Sequence, residues 1–92
     1  MSSTIISSEI LEDYEEMKKS YKTSPYLTKY EKTRVLGERA NQIINGSSPF
    51  ITDDIMNPYE IALRELQQKK IPFIIRRPYG NTVEYWKLQD LR

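Results

Sequence analysis

The sequence predicts a small α+β domain made of two main helices and a C-terminal β-hairpin, preceded by a flexible acidic leader. Three observations support this prediction. Two segments begin with helix-capping residues and continue as apolar stripes, and a proline follows the second. Two β-prone runs then flank a turn sequence. The first sixteen positions contain five acidic residues and no basic one.

Length and composition exclude several classes of protein. The chain has 92 residues, 14 of them basic and 13 acidic, which fits one small domain and excludes a multidomain enzyme. It contains no cysteine and no histidine, so disulfides, Cys/His zinc sites and imidazole-dependent catalysis are excluded. No apolar run approaches the roughly 20 residues of a membrane helix, and the start lacks the features of a secretory signal. We therefore expect an intracellular protein without a membrane contact.

Charge divides the chain into a leader, residues 1–22, and a folded domain, residues 23–92. Positions 1–16 hold five acidic residues, whereas the remainder holds all 14 basic residues and eight acidic ones. Ile10, Tyr14 and Met17 have helical spacing, but a helix of about ten residues is marginal in isolation. We expect the leader either to dock on a basic partner or to act only as a solvated tail.

The first main helix is predicted from about residue 29 to about residue 45. Thr28 and Glu31 have the spacing of a capping box, and Asn45 with Gly46 ends the helix. Its apolar stripe consists of Val35, Leu36, Ala40, Ile43 and Ile44. Gly37 lies in the interior, where glycine costs about 1 kcal/mol relative to alanine. It marks either the close approach of another backbone or simple tolerance.

The second helix starts at Asn57, which has the side chain of an N-cap, followed by Pro58 at the favoured first position. Its predicted stripe consists of Tyr59, Ala62, Leu63 and Leu66. Pro72 prevents the helix from continuing.

A β-hairpin is predicted after this proline. Residues 73–77 and 82–88 are rich in β-branched and aromatic side chains, and Pro78–Tyr79–Gly80–Asn81 supplies the turn.

Residues with catalytic or metal-binding chemistry are few. Asp53 and Asp54 are adjacent, but such a pair without further oxygen ligands is more typical of a solvated turn. The three glycines lie far apart, so no phosphate-binding loop is predicted. The sequence therefore predicts no catalytic residue, metal or cofactor.

The basic C-terminal hairpin permits two interpretations. Arg76 and Arg77, near several lysines and aromatic residues, suit either phosphates with stacked bases or the carboxylates of a protein partner. The modest positive charge of the body makes direct nucleic-acid contact the weaker interpretation. A small nucleic-acid-binding or adaptor module, acting through the hairpin or the leader, remains the alternative function.

Three blocks of sequence, residues 25–43, 58–66 and 69–77, together resemble the small common subunit of DNA-dependent RNA polymerases. This family comprises the sixth subunit of the eukaryotic nuclear enzymes, archaeal subunit K and bacterial omega. The resemblance covers about residues 23 to 91, with the blocks in the family's order and spacing. It implies an omega-like fold for the domain.

The resemblance also implies a function without catalysis. A member of this family packs on the largest polymerase subunit near the base of the mobile clamp, within the rest of the polymerase complex, and promotes assembly. The partner-binding positions implied by the motifs are Thr28, Lys29, Tyr30, Glu31, Arg34, Gly37, Arg39, Arg76 and Arg77.

The acidic leader resembles a shortened form of the tail with which eukaryotic members engage a general transcription factor. Tyr14, Glu12 and Asp13 are its candidate ligand residues. The short leader and the unusual hairpin turn suggest a divergent lineage, such as a large DNA virus that encodes its own polymerase. The expected location is the nucleus, or the cytoplasm or virion for a viral member.

A body of about 70 residues buries only about 60% of its unfolded surface, so a partner is expected to stabilise it. Apolar side chains left exposed would then belong to an interface. We expect these to be Tyr26, Leu27, Phe50 and Trp86.

Overall fold

The computed structural model of the chain describes residues 4–7 and 13–92. In chain order its elements are strand β1 (Thr4–Ser7), helices α1 (Tyr14–Lys18), α2 (Lys29–Ile44) and α3 (Pro58–Gln67), strands β2 (Phe73–Tyr79) and β3 (Thr82–Lys87), and a 3₁₀ helix (Leu88–Asp90). These form two compact units: the helix unit, Thr28–Ile71, and the sheet unit, the described residues up to Leu27 with Pro72–Arg92. The predicted α+β class, with two main helices and a C-terminal hairpin, is confirmed.

Local side-chain chemistry fixes both ends of α2. The Thr28 hydroxyl accepts a hydrogen bond from the Glu31 amide at 3.0 Å, and the Glu31 carboxylate accepts one from the Thr28 amide at 3.0 Å. The predicted capping box is therefore confirmed. At the other end Gly46 adopts a φ of 105°, and the Ser47 amide donates to the Gln42 carbonyl at 2.9 Å. This left-handed residue ends the helix, because it turns the chain away from the axis.

Helix α3 begins as the sequence predicts. The Asn57 side chain accepts from the amides of Tyr59 and Glu60 at 2.9 and 3.2 Å, and Pro58 occupies the first turn. These bonds satisfy amides that have no partner within the helix.

The two helices pack along a narrow apolar seam. Leu36 and Ala40 of α2 meet Ala62 of α3, with Leu63 and Leu66 packed against them. Ile44 and Tyr59, both predicted for the buried stripes, are 66% and 49% exposed, so these two predictions were wrong. Each step of four residues turns about 40° around a helix, and two such steps from Leu36 carry Ile44 out of the seam.

The sheet unit contains three antiparallel strands in the order β1–β2–β3. Gly80, with a φ of 58°, and Asn81 form the two-residue turn of the predicted hairpin. Strand β1, which the sequence did not predict, pairs with β2 from Phe73 to Arg76 only. Pro78 lies beyond this pairing, so its missing amide hydrogen removes no bond between β1 and β2.

A buried carboxylate holds the chain before α2 against the hairpin. Glu84, on β3, accepts from the Lys22 amide at 2.6 Å, the Thr23 amide at 3.1 Å and the Thr23 hydroxyl at 2.6 Å. Burial acts to raise the pKa of the Glu84 carboxyl, but these hydrogen bonds outweigh it and lower the pKa below its ordinary value. The charged form of Glu84 therefore stabilises the fold.

The lowered pKa predicts how Glu84 affects stability in acid. A carboxyl whose pKa is lower in the folded state contributes stability above its unfolded pKa, about 4.3, and loses it as the pH falls through the folded value. Glu84→Gln places an amide donor opposite two backbone amides, so we expect a loss of about 1–3 kcal/mol at pH 7. This loss should shrink steadily below pH 4.

Urea unfolding of the wild type and of Glu84→Gln between pH 7 and pH 2 measures this difference in the free energy of unfolding. Glu38→Gln, at an exposed position of α2, is the matched control and should leave the curve unchanged. Parallel pH curves for the wild type and Glu84→Gln would contradict the role assigned to the carboxylate.

Candidate partner-binding surface

The ten predicted partner-binding residues, which are the nine motif positions and Trp86, divide by burial. Four of them are buried in the structure: Glu31, Arg39, Arg77 and Trp86. Five are exposed, namely Thr28, Lys29, Tyr30, Arg34 and Gly37, and Arg76 is half-buried. The buried members therefore stabilise the fold. Of the exposed members, Thr28 caps α2 with its hydroxyl, and the others are available to another molecule.

Arg39 is the centre of a buried network in the helix unit. Its Nε and Nη2 donate to the two carboxylate oxygens of Glu65 at 2.6 and 3.1 Å, in a two-pronged pair. Nη2 also donates to the Ser48 carbonyl at 3.1 Å, and Nη1 to the Gln42 side chain at 3.1 Å. Since both charged groups are removed from water, loss of either one would leave the other buried without a compensating charge.

The same network fixes the loop between α2 and α3. Glu65 accepts from the Phe50 amide at 2.7 Å, and the Arg39 guanidinium lies 4.4 Å from the centroid of the Phe50 ring. Phe50 was expected to be exposed and is so, at 47%. One ion pair thus links α2, α3 and the loop.

Arg77 has the corresponding role in the sheet unit. Its guanidinium donates to the carbonyls of Ser24 and Tyr26, in the segment that precedes α2. Together with Glu84, which binds amides of the same segment, it holds residues 22–26 on the hairpin. The two residues are directly paired in the register of β2 and β3.

Trp86 was expected to be an exposed interface residue, and that expectation was wrong because only 6% of it is exposed. Its indole nitrogen donates to the Thr23 hydroxyl at 2.9 Å, and its ring lies 5.2 Å from the Tyr21 ring. A buried indole needs a hydrogen-bond acceptor, and Thr23 supplies it.

The exposed residues of α2 form a continuous surface, which we call the outer face. It consists of Tyr30, Arg34, Gly37, Asn41 and Ile44, spaced by three or four residues. Such spacing places all five on one side of a helix, opposite the buried residues Val35, Leu36 and Arg39. Tyr30 and Ile44, at its two ends, are 52% and 66% exposed. Apolar side chains at both ends of an exposed stripe are typical of a protein interface.

Gly37 forms a bare patch in the middle of the outer face. A Cβ added there would meet no atom of the described structure within 4 Å. No neighbour among the described residues therefore requires a glycine here, although glycine costs the helix about 1 kcal/mol relative to alanine. The close approach of another backbone within the described structure is thus excluded. The glycine is either simply tolerated or allows another molecule to approach closely.

The charge of α2 also lacks an internal explanation. Lys29, Lys32 and Arg34 are exposed in its first two turns. The helix dipole disfavours the two lysines, which lie in the first turn. The only acidic residue of the first turn is Glu31, which the cap uses. This end of the helix therefore presents positive charge that suits carboxylates of a partner.

Among the leader candidates, Tyr14 is only 3% exposed. Its hydroxyl donates to the Asp90 carboxylate at 2.6 Å and accepts from the Lys87 amide at 3.2 Å. Burial, and then the bond to Asp90, raises the pKa of the Tyr14 hydroxyl far above its ordinary value. Asp13 is exposed, with a left-handed φ of 57°, and Glu12 lies outside the described residues.

Two kinds of feature are absent from the described residues. Residues 4–7 and 13–92 contain no cluster of three acidic, histidine or cysteine side chains that could hold a metal ion. In the same residues no helix is both long and apolar enough to cross a membrane.

Sequence reasoning missed two residues of structural importance, Glu65 and Glu84. Glu65 lies one helical turn after Ile61, among the buried residues of α3. A charged residue on an apolar helix face indicates a buried pair, so this signal was present. Glu84 lies between Val83 and Tyr85 in a strand, where successive side chains point to opposite faces of the sheet. A polar residue at such a position is also expected when its side chain faces solvent, so the sequence pattern did not indicate that Glu84 is buried.

Comparison with known proteins gives a consistent result. The family model described as RNA polymerase Rpb6 matches residues 21–73. The chain is 44% identical over 72 residues to the DNA-directed RNA polymerases I, II, and III subunit RPABC2 of Saccharomyces cerevisiae, covering 75% of this chain and 46% of that protein. Against the Schizosaccharomyces pombe subunit of the same name the identity is 45% over 73 residues, covering 75% and 50%.

A plant relative matches a longer part of the chain. The DNA-directed RNA polymerases II and V subunit 6B of Arabidopsis thaliana is 42% identical over 79 residues, covering 84% of this chain and 55% of that protein. The chain thus spans about half the length of the relatives it matches.

The buried pair predicts different outcomes for single and double substitutions. Arg39→Met should lower the free energy of unfolding by about 3–5 kcal/mol, because it leaves the Glu65 carboxylate buried without its cation. Adding Glu65→Leu should restore most of that stability, since a buried ion pair can be replaced by apolar side chains. Denaturant unfolding of the two variants measures the difference. If the double variant were no more stable than Arg39→Met, the dependence of each charge on the other would be refuted.

The open space at Gly37 predicts that Gly37→Ala stabilises the free chain by about 0.5–1 kcal/mol, because alanine restricts the unfolded backbone and nothing obstructs its methyl group. Thermal unfolding measures the change. Gly46→Ala, at a left-handed position, is the control and should destabilise. A loss of stability in Gly37→Ala would contradict the geometry of the outer face.

Proposed function

The chain belongs to the RNA polymerase Rpb6 family, and we propose from this membership that it is a non-catalytic subunit of a DNA-dependent RNA polymerase. The observation that carries the proposal is the family match, which runs through α2 and α3 into the start of β2. The absence of histidine and cysteine from the whole sequence is in keeping with a subunit that does no chemistry.

The partner that we propose for the outer face of α2 is the largest subunit of the polymerase, near the base of its clamp. Three features support this assignment: the exposed Tyr30 and Ile44, the bare Gly37, and the cationic first turns. Apolar anchors at the ends let a segment pack along the helix, and a glycine between them lets its backbone approach closely. Lys29 and Arg34 then reach carboxylates beside it.

The mechanism that we propose is a molecular staple. A subunit that binds the folded form of a partner, and not its unfolded form, shifts the partner toward folding by mass action. If the helix unit and the sheet unit contact segments that are distant in the partner's sequence, binding also offsets part of the entropy lost when those segments come together. In the sheet unit the half-buried Arg76 is the candidate contact.

The buried motif residues then act indirectly. Glu31 caps the helix that carries the outer face, and Arg39 fixes the loop beside it. Arg77 and Trp86 hold the segment that leads into α2. We propose that these four are positioning residues. We also propose that the leader, residues 1–22, is separate from the part of the chain that binds the largest subunit, residues 23–92.

A general transcription factor is proposed as a second partner, bound through the acidic leader. Asp13 is exposed for such a contact, whereas Tyr14 must first leave Asp90. The proposed location is the nucleus, and a viral origin with a cytoplasmic or virion location stays a prediction. A nucleic-acid module receives less support, because Arg77 and Trp86 are buried and bound within the chain.

Co-expression with the largest subunit tests the outer face. Arg34→Glu and Gly37→Leu should reduce recovery of the soluble complex about tenfold or more, because they reverse a charge and fill the bare patch at the centre of the interface. Deletion of residues 1–12 should leave recovery unchanged, since the leader is assigned a different partner.

Thermal unfolding of each free variant is the control for that experiment. Gly37→Leu should unfold at or above the wild-type temperature, because leucine favours a helix more than glycine does and no described atom lies within 4 Å of its Cβ position. Equal recovery of the complex with wild type, Arg34→Glu and Gly37→Leu would rule out this surface as the binding site.

A further inference from the structure

The outer edge of the sheet is covered in an unusual way. Strand β3 is paired with β2 on one side only. Pro78 pairs with Val83 and has no amide hydrogen, so this is a non-hydrogen-bonded pair. Hydrogen-bonded and non-hydrogen-bonded pairs alternate along an antiparallel ladder, so the pairs of Arg76 with Tyr85 and of Ile74 with Lys87 are also non-hydrogen-bonded. Tyr85 and Lys87 occupy these positions, and their backbone groups therefore point away from β2, along the free edge.

Two tyrosine hydroxyls occupy that edge. The Tyr85 amide donates to the Tyr21 hydroxyl at 3.2 Å, and the same hydroxyl donates to the Tyr85 carbonyl at 2.9 Å. The Lys87 amide donates to the Tyr14 hydroxyl at 3.2 Å. Three backbone groups that would otherwise bind water or a strand are thus satisfied by side chains.

The segment between these tyrosines has little stability of its own. Helix α1 has five residues, too few to persist in isolation. Its backbone bonds run within the segment, from the Ser20 amide to Met17 and from the Tyr21 amide to Lys18. Side chains provide its attachment to the hairpin: the two hydroxyls, the Lys18 ammonium 3.3 Å from the Asp90 carboxylate, and the Tyr21 ring against Trp86.

We propose that residues 14–21 are a strap that closes the outer edge of β3 and opens as one unit. Its hinge is at Lys22 and Thr23, where Glu84 holds the backbone amides. The lock is Asp90, which binds both the Tyr14 hydroxyl and Lys18.

Opening has two consequences that follow from the same movement. It releases the Tyr14 side chain from a buried position, and it exposes the amide and carbonyl of Tyr85 and the amide of Lys87, the groups to which an extended segment adds. A factor that binds Tyr14 selects the open strap, so the closed strap lowers its apparent affinity. This second statement rests on the proposed leader contact, whereas the opening itself does not.

Amide hydrogen exchange, measured by NMR on the full chain, tests the strap. In Asp90→Ala the Lys87 amide should exchange about tenfold faster or more, because Tyr14 loses its charged acceptor. The decisive position is Tyr85: its amide is covered by Tyr21, which Asp90 does not bind, and it should accelerate to the same extent. Tyr14→Phe should accelerate both amides as well.

The Trp86 amide is the internal reference, because the register directs it toward β2, and it should keep its exchange rate. Asp54→Ala, at an exposed aspartate of the helix unit, is the matched control. Acceleration at Lys87 alone would show that the strap does not move as one unit, and acceleration at neither would show that Asp90 is not its lock. Equal acceleration at Trp86 would mean that the hairpin itself opens, which also overturns the proposal. Since no polymerase component is present, these outcomes are independent of the co-expression experiment.

Discussion

A charged side chain that leaves water must find partners for its charge and its hydrogen bonds, and in this chain that constraint fixes the shape of both units. In the helix unit Arg39 and Glu65 satisfy each other and bind the loop between the helices. In the sheet unit Arg77 binds carbonyls, and Glu84 binds amides, of the segment before α2. Among the described residues, every buried side-chain nitrogen and oxygen has a hydrogen-bond partner. Polar networks that are complete in this way hold loops in a single position.

This constraint separates the motif residues by role. Arginines that appear equivalent in the sequence differ in the structure, because Arg39 and Arg77 are enclosed while Arg34 is exposed. The outer face of α2 remains as the surface without an internal purpose. Three features of this face do not stabilise the isolated chain. These are its exposed apolar ends, the glycine at position 37 and the positive charge at the start of the helix. A bound partner gives each of these features a physical reason, which is why the proposed function is one of binding.

The elements could be predicted because their signals are local. The Thr28 cap, the Asn57 cap and the hairpin turn each depend on residues close in sequence. Both caps were found where they were expected. The turn was predicted at residues 78–81 but comprises Gly80 and Asn81 only, because Pro78 and Tyr79 belong to β2. Contacts between distant residues could not be predicted in this way. Strand β1 was missed because its pairing spans about seventy residues, and the exposure of Ile44 and the burial of Trp86 depend on what packs nearby. Periodicity identifies a stripe but not its edges.

In the proposed complex, the outer face of α2 contacts a polymerase subunit, whereas the buried arginines stabilise only the chain itself. Hydroxyl-radical footprinting tests it directly, on the free chain and on the purified complex with the largest subunit. Labelling of Tyr30 and Ile44 should fall sharply on assembly, while Trp86 should stay weakly labelled in both states because it is buried in the free chain already. Unchanged labelling of Tyr30 and Ile44 in the complex would show that the outer face is not the binding surface.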